Sequence, residues 1–305
     1  MKIDVIIPTY KPDEKLEKNL RMLKKQTLTP DRILLINTEE KYFHSKEFYT
    51  LPQGELYHIK KEEFDHGGTR NRAAAMCDGD IIVLLTQDAI PADEYLLENL
   101  IRPFEDPEVC AAYGRQMADY RDNLPEAYTR RFNYPKKSRI KSAKDLPELG
   151  IKTFFCSNVC AAYRKKVYDE LGGFPLHTIF NEDMIFASRL IEAGKKIAYV
   201  ADARVWHWHN YTAWQQLTRN FDLAVSQEDY GGLFLKVKSE SEGIRMVKKT
   251  LRYFLIKGKW NYIPGIILQN GAKYIGYKLG RNYKKLPRSL ILKISLNPDY
   301  WNVTK

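Results

Sequence analysis

"LLTQDAIPADEYL", residues 84–96, begins as a buried strand, ends as an amphipathic helix and carries Asp88 at the junction. A helix cap is the plain explanation. Pro91, Asp93 and Glu94 suit a first helical turn, and Leu96, Leu97, Leu100, Ile101 and Phe104 form a buried stripe behind them. Asp88, however, precedes that expected helix start and stands at the carboxyl end of a strand, where open α/β sheets bind ligands.

The sequence on either side repeats the alternation. "IDVIIPTY" (3–10) is a buried strand, Leu16, Leu20 and Leu23 mark a helix face, and "RILLIN" (32–37) is a second strand. "ELYHIK" (55–60) follows as a third strand, "TRNRAAAM" (69–76) as a helix after a Gly-Gly turn, and "DIIVLLTQ" (80–87) as a fourth strand. Such a succession predicts a mostly parallel sheet flanked by helices. The first turn lacks GxGxxG, which argues against the usual dinucleotide site.

Polar loops at the strand ends carry the candidate chemistry. "IPTYKP" presents the Thr9 hydroxyl, and "LINTEE" presents Asn37 and Glu39. "FDHGGTRNRA" joins Asp65, His66, Gly67, Gly68 and Arg70 at a helix start, a pattern suited to an anion; a solvated turn capped by Thr69 is the alternative. Farther on, Asn181, Glu182 and Asp183 precede a helix with Ile185, Phe186, Leu190 and Ile191 on its apolar face. Acidic residues there often serve only the helix dipole. After the strand "KIAYV", "ARVWHWHNYT" places His207 and His209 on one side if extended, and with a strand-end Asp they point to a divalent-metal site.

"VIIPTY", "TQDA", "GGF" followed by "NEDMIFASRLIEAG", and a His after the next strand resemble the inverting family-two glycosyltransferases of the GT-A fold. The resemblance covers roughly residues 1–225. Within that family, "FDHGGTRNRA", "TQDAIP" and "HWHNYT" look most like bacterial rhamnosyltransferases that use dTDP-L-rhamnose. It implies that Pro8, Thr9, Tyr10 and Asn37 line the nucleotide pocket, that Asp88 is the remaining acid of a DXD-like metal motif, and that Asp183 is the catalytic base. Glu39, Asp65, His66, Gly67, Arg70 and Gln87 complete the expected nucleotide-sugar site, with Mg2+ or Mn2+ held by Asp88, His207 and His209. The acceptor is expected against 153–175, with Ser157, Asn158 and Glu182. Two departures stand out: the motif reads Thr86, Gln87, Asp88, and Asn37 replaces the usual acid of the second strand end.

Charge divides the chain. Residues 236–305 hold 16 Lys and Arg against 3 Asp and Glu, while the first 235 hold 33 against 35. The expected division is therefore a catalytic domain over 1–235 and a basic helical region over 236–305. In "EGIRMVKKTLRYFLIKGKW", Ile244, Val247, Leu251, Phe254 and Leu255 share a face, and Pro264 breaks the pattern before a second mix of Tyr, Leu, Ile and Lys. This suits attachment to a membrane surface; a subdomain packed on the core, forming a homodimer contact, is the alternative.

The four cysteines form no CxxC pair, and no signal-like start or uncharged 18-residue apolar run is present. The expectation is a cytoplasmic protein, peripheral on the inner face of the plasma membrane. It would transfer L-rhamnose to a polyprenyl-diphosphate-linked saccharide in cell-surface polysaccharide synthesis. A UDP-hexose donor is the nearest alternative. Nucleic-acid binding lacks a recognition motif in the slightly acidic front of the chain, and a nucleotidyltransferase needs more phosphate-cradling residues than "PTYKPDEK" offers.

Overall fold

Period-two alternation explains why the strands read as continuous apolar runs. Ile3, Val5 and Ile7 face one core with Ile33, Leu35, Ile81, Val83 and Leu85, while Ile6, Leu34, Ile36, Ile82 and Leu84 face another. A strand buried on both faces has no polar side to show. Leu16, Leu20 and Leu23 of the Glu14–Leu23 helix close the first core, and Phe186, Leu190 and Ile191 of the Glu182–Glu192 helix close the second. The structure is a computed structural model that describes residues 1–119, 121, 123–234 and 240–302. The expected boundary at 235/236 lies outside the described residues.

In chain order the strands are β1 (Ile3–Tyr10), β2 (Arg32–Thr38), β3 (Gly54–Ile59), β4 (Ile81–Leu85), β5 (Ile90–Pro91), β6 (Val109–Met117), β7 (Arg139–Lys141), β8 (Cys160–Arg164) and β9 (Lys196–Trp206). They form one sheet ordered β3-β2-β1-β4-β8-β6-β9-β5, with β7 also on β9. β1, β2, β3 and β4 are parallel, β8 runs against both β4 and β6, and β9 is parallel to β6. Six strands therefore point the same way, and the amino end of antiparallel β8 meets their carboxyl ends on one edge.

Two helix starts differ from the sequence reading. Ile90 and Pro91 form β5 against Trp206 and Val205, so the helix begins only at Leu96. Cross-strand pairing overrides the first-turn signals of Pro91, Asp93 and Glu94, and Asp88 caps no helix. In the opposite direction, the helix expected from Thr69 starts at His66, because Asp65 caps it by accepting from the Gly68 amide at 2.5 Å.

The basic tail packs on the catalytic part. Its Ile263–Arg281 helix lies against the Ala213–Asp229 helix through Gly276 and Gly280, where a Cβ would come within 2.1 Å of Leu217 O and 2.2 Å of Phe221 O. Tyr283, Ile291 and Ile294 then share a core with Ile179, Phe221 and Val225. Asp222 ties the end of the chain by accepting from the Ser295 hydroxyl and the Leu296 amide, both at 2.8 Å, and the Asn297 amide at 3.1 Å. In the Glu240–Ile256 helix Phe254 is buried and Val247 and Leu251 are half-buried, so most of the apolar face expected to meet lipid is turned onto protein.

Candidate active site

Asp88, His207 and His209 converge where β4 and β9 end. Asp88 Oδ2 lies 3.6 Å from His207 Nε2 and 3.4 Å from His209 Nε2, and the two nitrogens are 3.1 Å apart. Cis ligands around a small divalent ion with bonds of about 2.1 Å are separated by about 3.0–3.5 Å, so these three atoms fit one. Burial, as the main cause, pushes both histidines below their ordinary range, which favours the neutral, ligating form.

Gln116, near the end of β6, fixes how His207 is presented. Arg130 only donates, and its guanidinium bonds Gln116 Oε1, which leaves Gln116 Nε2 to donate to Ser157 Oγ at 2.9 Å. The same Oε1 accepts from His207 Nδ1 at 3.0 Å. That bond holds the proton on Nδ1 and frees Nε2 toward Asp88, a support commonly seen behind metal-bound histidines.

The second cluster stands at the start of the Glu182–Glu192 helix. Asn181 before it adopts φ 64° and ψ 20°, a left-handed conformation that is costly for a residue other than glycine and that concentrates at functional sites. Asp183 Oδ1 accepts from the Met184 amide at 2.8 Å and Oδ2 from the Asn158 amide at 3.2 Å. Glu182 faces inward, 3.3 Å from Arg70 and within 3.1 Å of Asn158 Nδ2. Half-buried Asp183 is pushed up to about 7, chiefly by desolvation and then by the Glu182 charge, whereas Arg70 and His66 help hold Glu182 below its usual range against its own burial. Desolvation thus outweighs the helix-dipole effect expected at this position.

Other expected residues meet along the same edge. Thr9 Oγ1 donates to Asn37 Oδ1 at 3.1 Å, and Asn37 Nδ2 reaches Glu39 O at 3.1 Å. Gln87 imitates a strand partner of Tyr10, accepting from its amide at 2.9 Å and donating to its carbonyl at 3.1 Å. Pro8 sits two residues before Tyr10 in β1, beside Ile36. Tyr10 is exposed and meets Tyr42 edge-on at 5.9 Å. Glu39 accepts from the Lys61 amide and pairs with Lys41 at 3.2 Å, which together with the lysine charges lower its pKa.

Several of the expected residues meet other protein groups. Arg70, expected to pair with phosphate, is buried against Glu182 and donates to His66 O at 2.8 Å. Gly67 is needed for packing, since a Cβ there would lie 2.0 Å from Pro175 O. His66 is stacked on Phe180 at 5.5 Å and lowered by burial. Asn158, expected to meet the acceptor, spends its amide on Glu182 and its Oδ1 on the Tyr163 hydroxyl at 2.8 Å, while Ser157 is taken up by Gln116.

Residues 4–172 match the protein family described as Glycosyl transferase family 2. This chain belongs to that glycosyltransferase family. The glycosyltransferase is 42% identical over 310 residues to the O-antigen chain rhamnosyltransferase RfbN of Salmonella typhimurium, spanning 99% of this chain and 96% of the relative. It is 39% identical over 307 residues to the O-antigen chain rhamnosyltransferase WbaN of Salmonella anatum, spanning 98% and 95%. Among solved structures it is similar to the mannosyltransferase PcManGT from Pyrobaculum calidifontis in complex with GDP-Man and Mn2+, with a TM-score of 0.61 and 15% identity over 93% of this chain and 88% of that one. The α/β sheet with flanking helices is thus of the GT-A type.

The sequence reading of the glycosyltransferase missed Gln116, Arg130 and Arg219. Gln116 is a buried polar residue beside Arg115 near the end of "VCAAYGRQM", whereas Arg130 and Arg219 sit in helices with no local mark. Arg219 packs its guanidinium 5.2 Å from the Phe180 ring. A cleft of about 270 Å³ also escaped notice, since it joins distant segments: His209 and Tyr211 at one end, Glu126 and Thr129 on one side, and Gln269 and Lys273 of the tail on the other. Gln269 Nε2 donates to Tyr211 O at 3.0 Å, and its buried Oε1 lacks a partner among the described residues.

Proposed function

We propose that this glycosyltransferase inverts configuration while moving L-rhamnose from dTDP-β-L-rhamnose to a hydroxyl of a polyprenyl-diphosphate-linked saccharide, in bacterial cell-surface polysaccharide synthesis. The placement of the half-buried Asp183 carboxylate at the helix start, fixed by the Met184 and Asn158 amides, is the observation that carries the mechanism, and desolvation raises its carboxyl above the ordinary range. A carboxylate raised in this direction becomes a better base near neutral pH. The two relatives of 42% and 39% identity, both named O-antigen chain rhamnosyltransferases, support the sugar.

In the proposed reaction Asp183 takes the proton of the acceptor hydroxyl as its oxygen attacks the anomeric carbon. The carbon–oxygen bond to the nucleoside diphosphate breaks on the opposite face, so a β-linked donor gives an α product. Glu182 stays paired with Arg70 and positions the helix start. Asp88, His207 and His209 hold the divalent ion, which stabilises the charge of the departing diphosphate when bound. Two imidazoles beside one carboxylate favour Mn2+ over Mg2+, because nitrogen donors suit the later, softer ion. Pro8, Thr9, Tyr10, Asn37, Glu39 and Gln87 serve the nucleotide, with the exposed Tyr10 ring available to its base. The acceptor saccharide lies in the cleft from His209 to Lys273, where neutral amides and hydroxyls suit recognition of sugar hydroxyls.

The expected setting is the cytoplasmic face of the inner membrane. A panel of nucleotide sugars with Mn2+ or Mg2+, read by nucleoside diphosphate release, tests the donor. Preference for dTDP-rhamnose is expected. Preference for a UDP-hexose overturns the sugar assignment.

A further inference from the structure

The Ile263–Arg281 helix is apolar on two opposite sides. Ala272, Gly276 and Gly280 are buried against the protein, while Ile267, Leu268, Tyr274 and Ile275 on the other side are 57%, 63%, 60% and 52% exposed. At about 100° per residue these four, with exposed Pro264 and Gly271, fall in one strip about 120° wide. Ile256 and Trp260, 70% and 66% exposed, lead into it beside Lys257 and Lys259. Isolated exposed apolar residues are ordinary, but a continuous strip on one helix marks an interaction site.

The charge around the strip selects its occupant. Residues 243–298 contain 13 Lys and Arg and no Asp or Glu. Two copies joined through this face would bring exposed Lys257, Lys259 and Lys278 of one copy close to those of the other, a costly arrangement. No described helix is long and apolar enough to cross a membrane. A helix with apolar residues outward, flanking cations and exposed Trp and Tyr has the make-up of one lying in the plane of an anionic bilayer surface. We propose that the face formed by Ile256, Trp260, Ile267, Leu268, Tyr274 and Ile275 rests on anionic phospholipid. This deepens the membrane-side reading above and moves the contact from the Phe254 side of the Glu240–Ile256 helix, which is buried, to that helix's exposed last residue, Ile256, and the outer side of the next helix. Gln269 and Lys273 of the same helix line the cleft, so lipid and cleft are separated by about one helix diameter, 10 Å.

Vesicle flotation without donor or acceptor tests the face independently of the transfer reaction. The full chain is mixed with vesicles of equimolar phosphatidylcholine and phosphatidylglycerol, or of phosphatidylcholine alone, at low and high salt. Wild type is expected to float with the anionic vesicles and to be released by salt. The double variant Ile267→Glu/Ile275→Glu is expected to lose partitioning by on the order of tenfold or more, with an unchanged circular dichroism spectrum and unchanged donor turnover in vesicle-free solution. Flotation of the variant equal to wild type overturns the proposal, as does failure of wild type to float. A wild-type dimer in sedimentation that the variant converts to monomer assigns the face to a second copy instead.

Discussion

Asp183→Asn keeps the side-chain shape and removes the proton acceptor. Turnover is expected to fall on the order of 10²-fold or more, the usual loss when a general base is removed, with little change in donor affinity. Because desolvation and then Glu182 push Asp183 up to about 7, wild-type turnover should drop about tenfold per unit as pH falls below 7. Glu182→Gln removes a like charge and leaves Arg70, 3.3 Å from the Glu182 carboxylate, uncompensated. Both changes favour the ionised base, so the acid limb should move to lower pH. Stability gives a second readout. A carboxyl raised in the folded state contributes stability that is fully present below its unfolded pKa of about 4 and lost as pH rises through the folded value. Asp183→Asn should therefore melt higher than wild type at pH 8, by at most on the order of 4 kcal/mol, with the advantage gone near pH 4. Nucleoside diphosphate release from pH 5 to 9 and melting curves from pH 3.5 to 9 measure both effects. An Asp183→Asn enzyme with near-normal turnover, beside an inactive but folded Glu182→Gln, would refute the assignment of the base.

The metal reading predicts that Mn2+ raises the melting temperature at lower concentration than Mg2+, and that Asp88→Ala or His207→Ala abolishes the shift; full activity in chelator would contradict it. Gln116→Leu leaves every ligand in place but frees the His207 tautomer, so Mn2+ affinity measured by titration should weaken about 10- to 100-fold. Gly276→Val drives a side chain into Leu217 O, and chemical denaturation should show a loss of about 1–3 kcal/mol or more, with the tail becoming sensitive to protease.

The sheet was legible because buried parallel strands leave unbroken apolar runs, and β1, β2 and β4 are such runs. The residues meeting at Asp88 were legible because strand ends and period-two spacing are local facts. The partner of Arg70 is not legible, for a converse reason. Its position at a glycine-rich helix start suggests phosphate, but its partner Glu182 lies 112 residues away and no local pattern reveals that pair. Gln116 and the cleft required the same distant knowledge, as did β5, whose partner strand alone decides that Pro91 begins no helix.

The close meeting at Gly276 and Gly280 has an evolutionary consequence. It is made by glycines against the carbonyls of Leu217 and Phe221, so it asks almost nothing of the neighbouring side chains. Thr250, Asn261, Asn270 and Lys273, which line the cleft, take no part in it. A lineage can therefore rewrite this wall of the cleft, proposed above to meet the acceptor, while the tail stays docked through the two glycines. On the proposed acceptor assignment, new linkages in surface polysaccharides become accessible through substitutions in one short carboxyl-terminal segment, held in place by the two glycines together with the Tyr283, Ile291 and Ile294 core and the Asp222 hydrogen bonds.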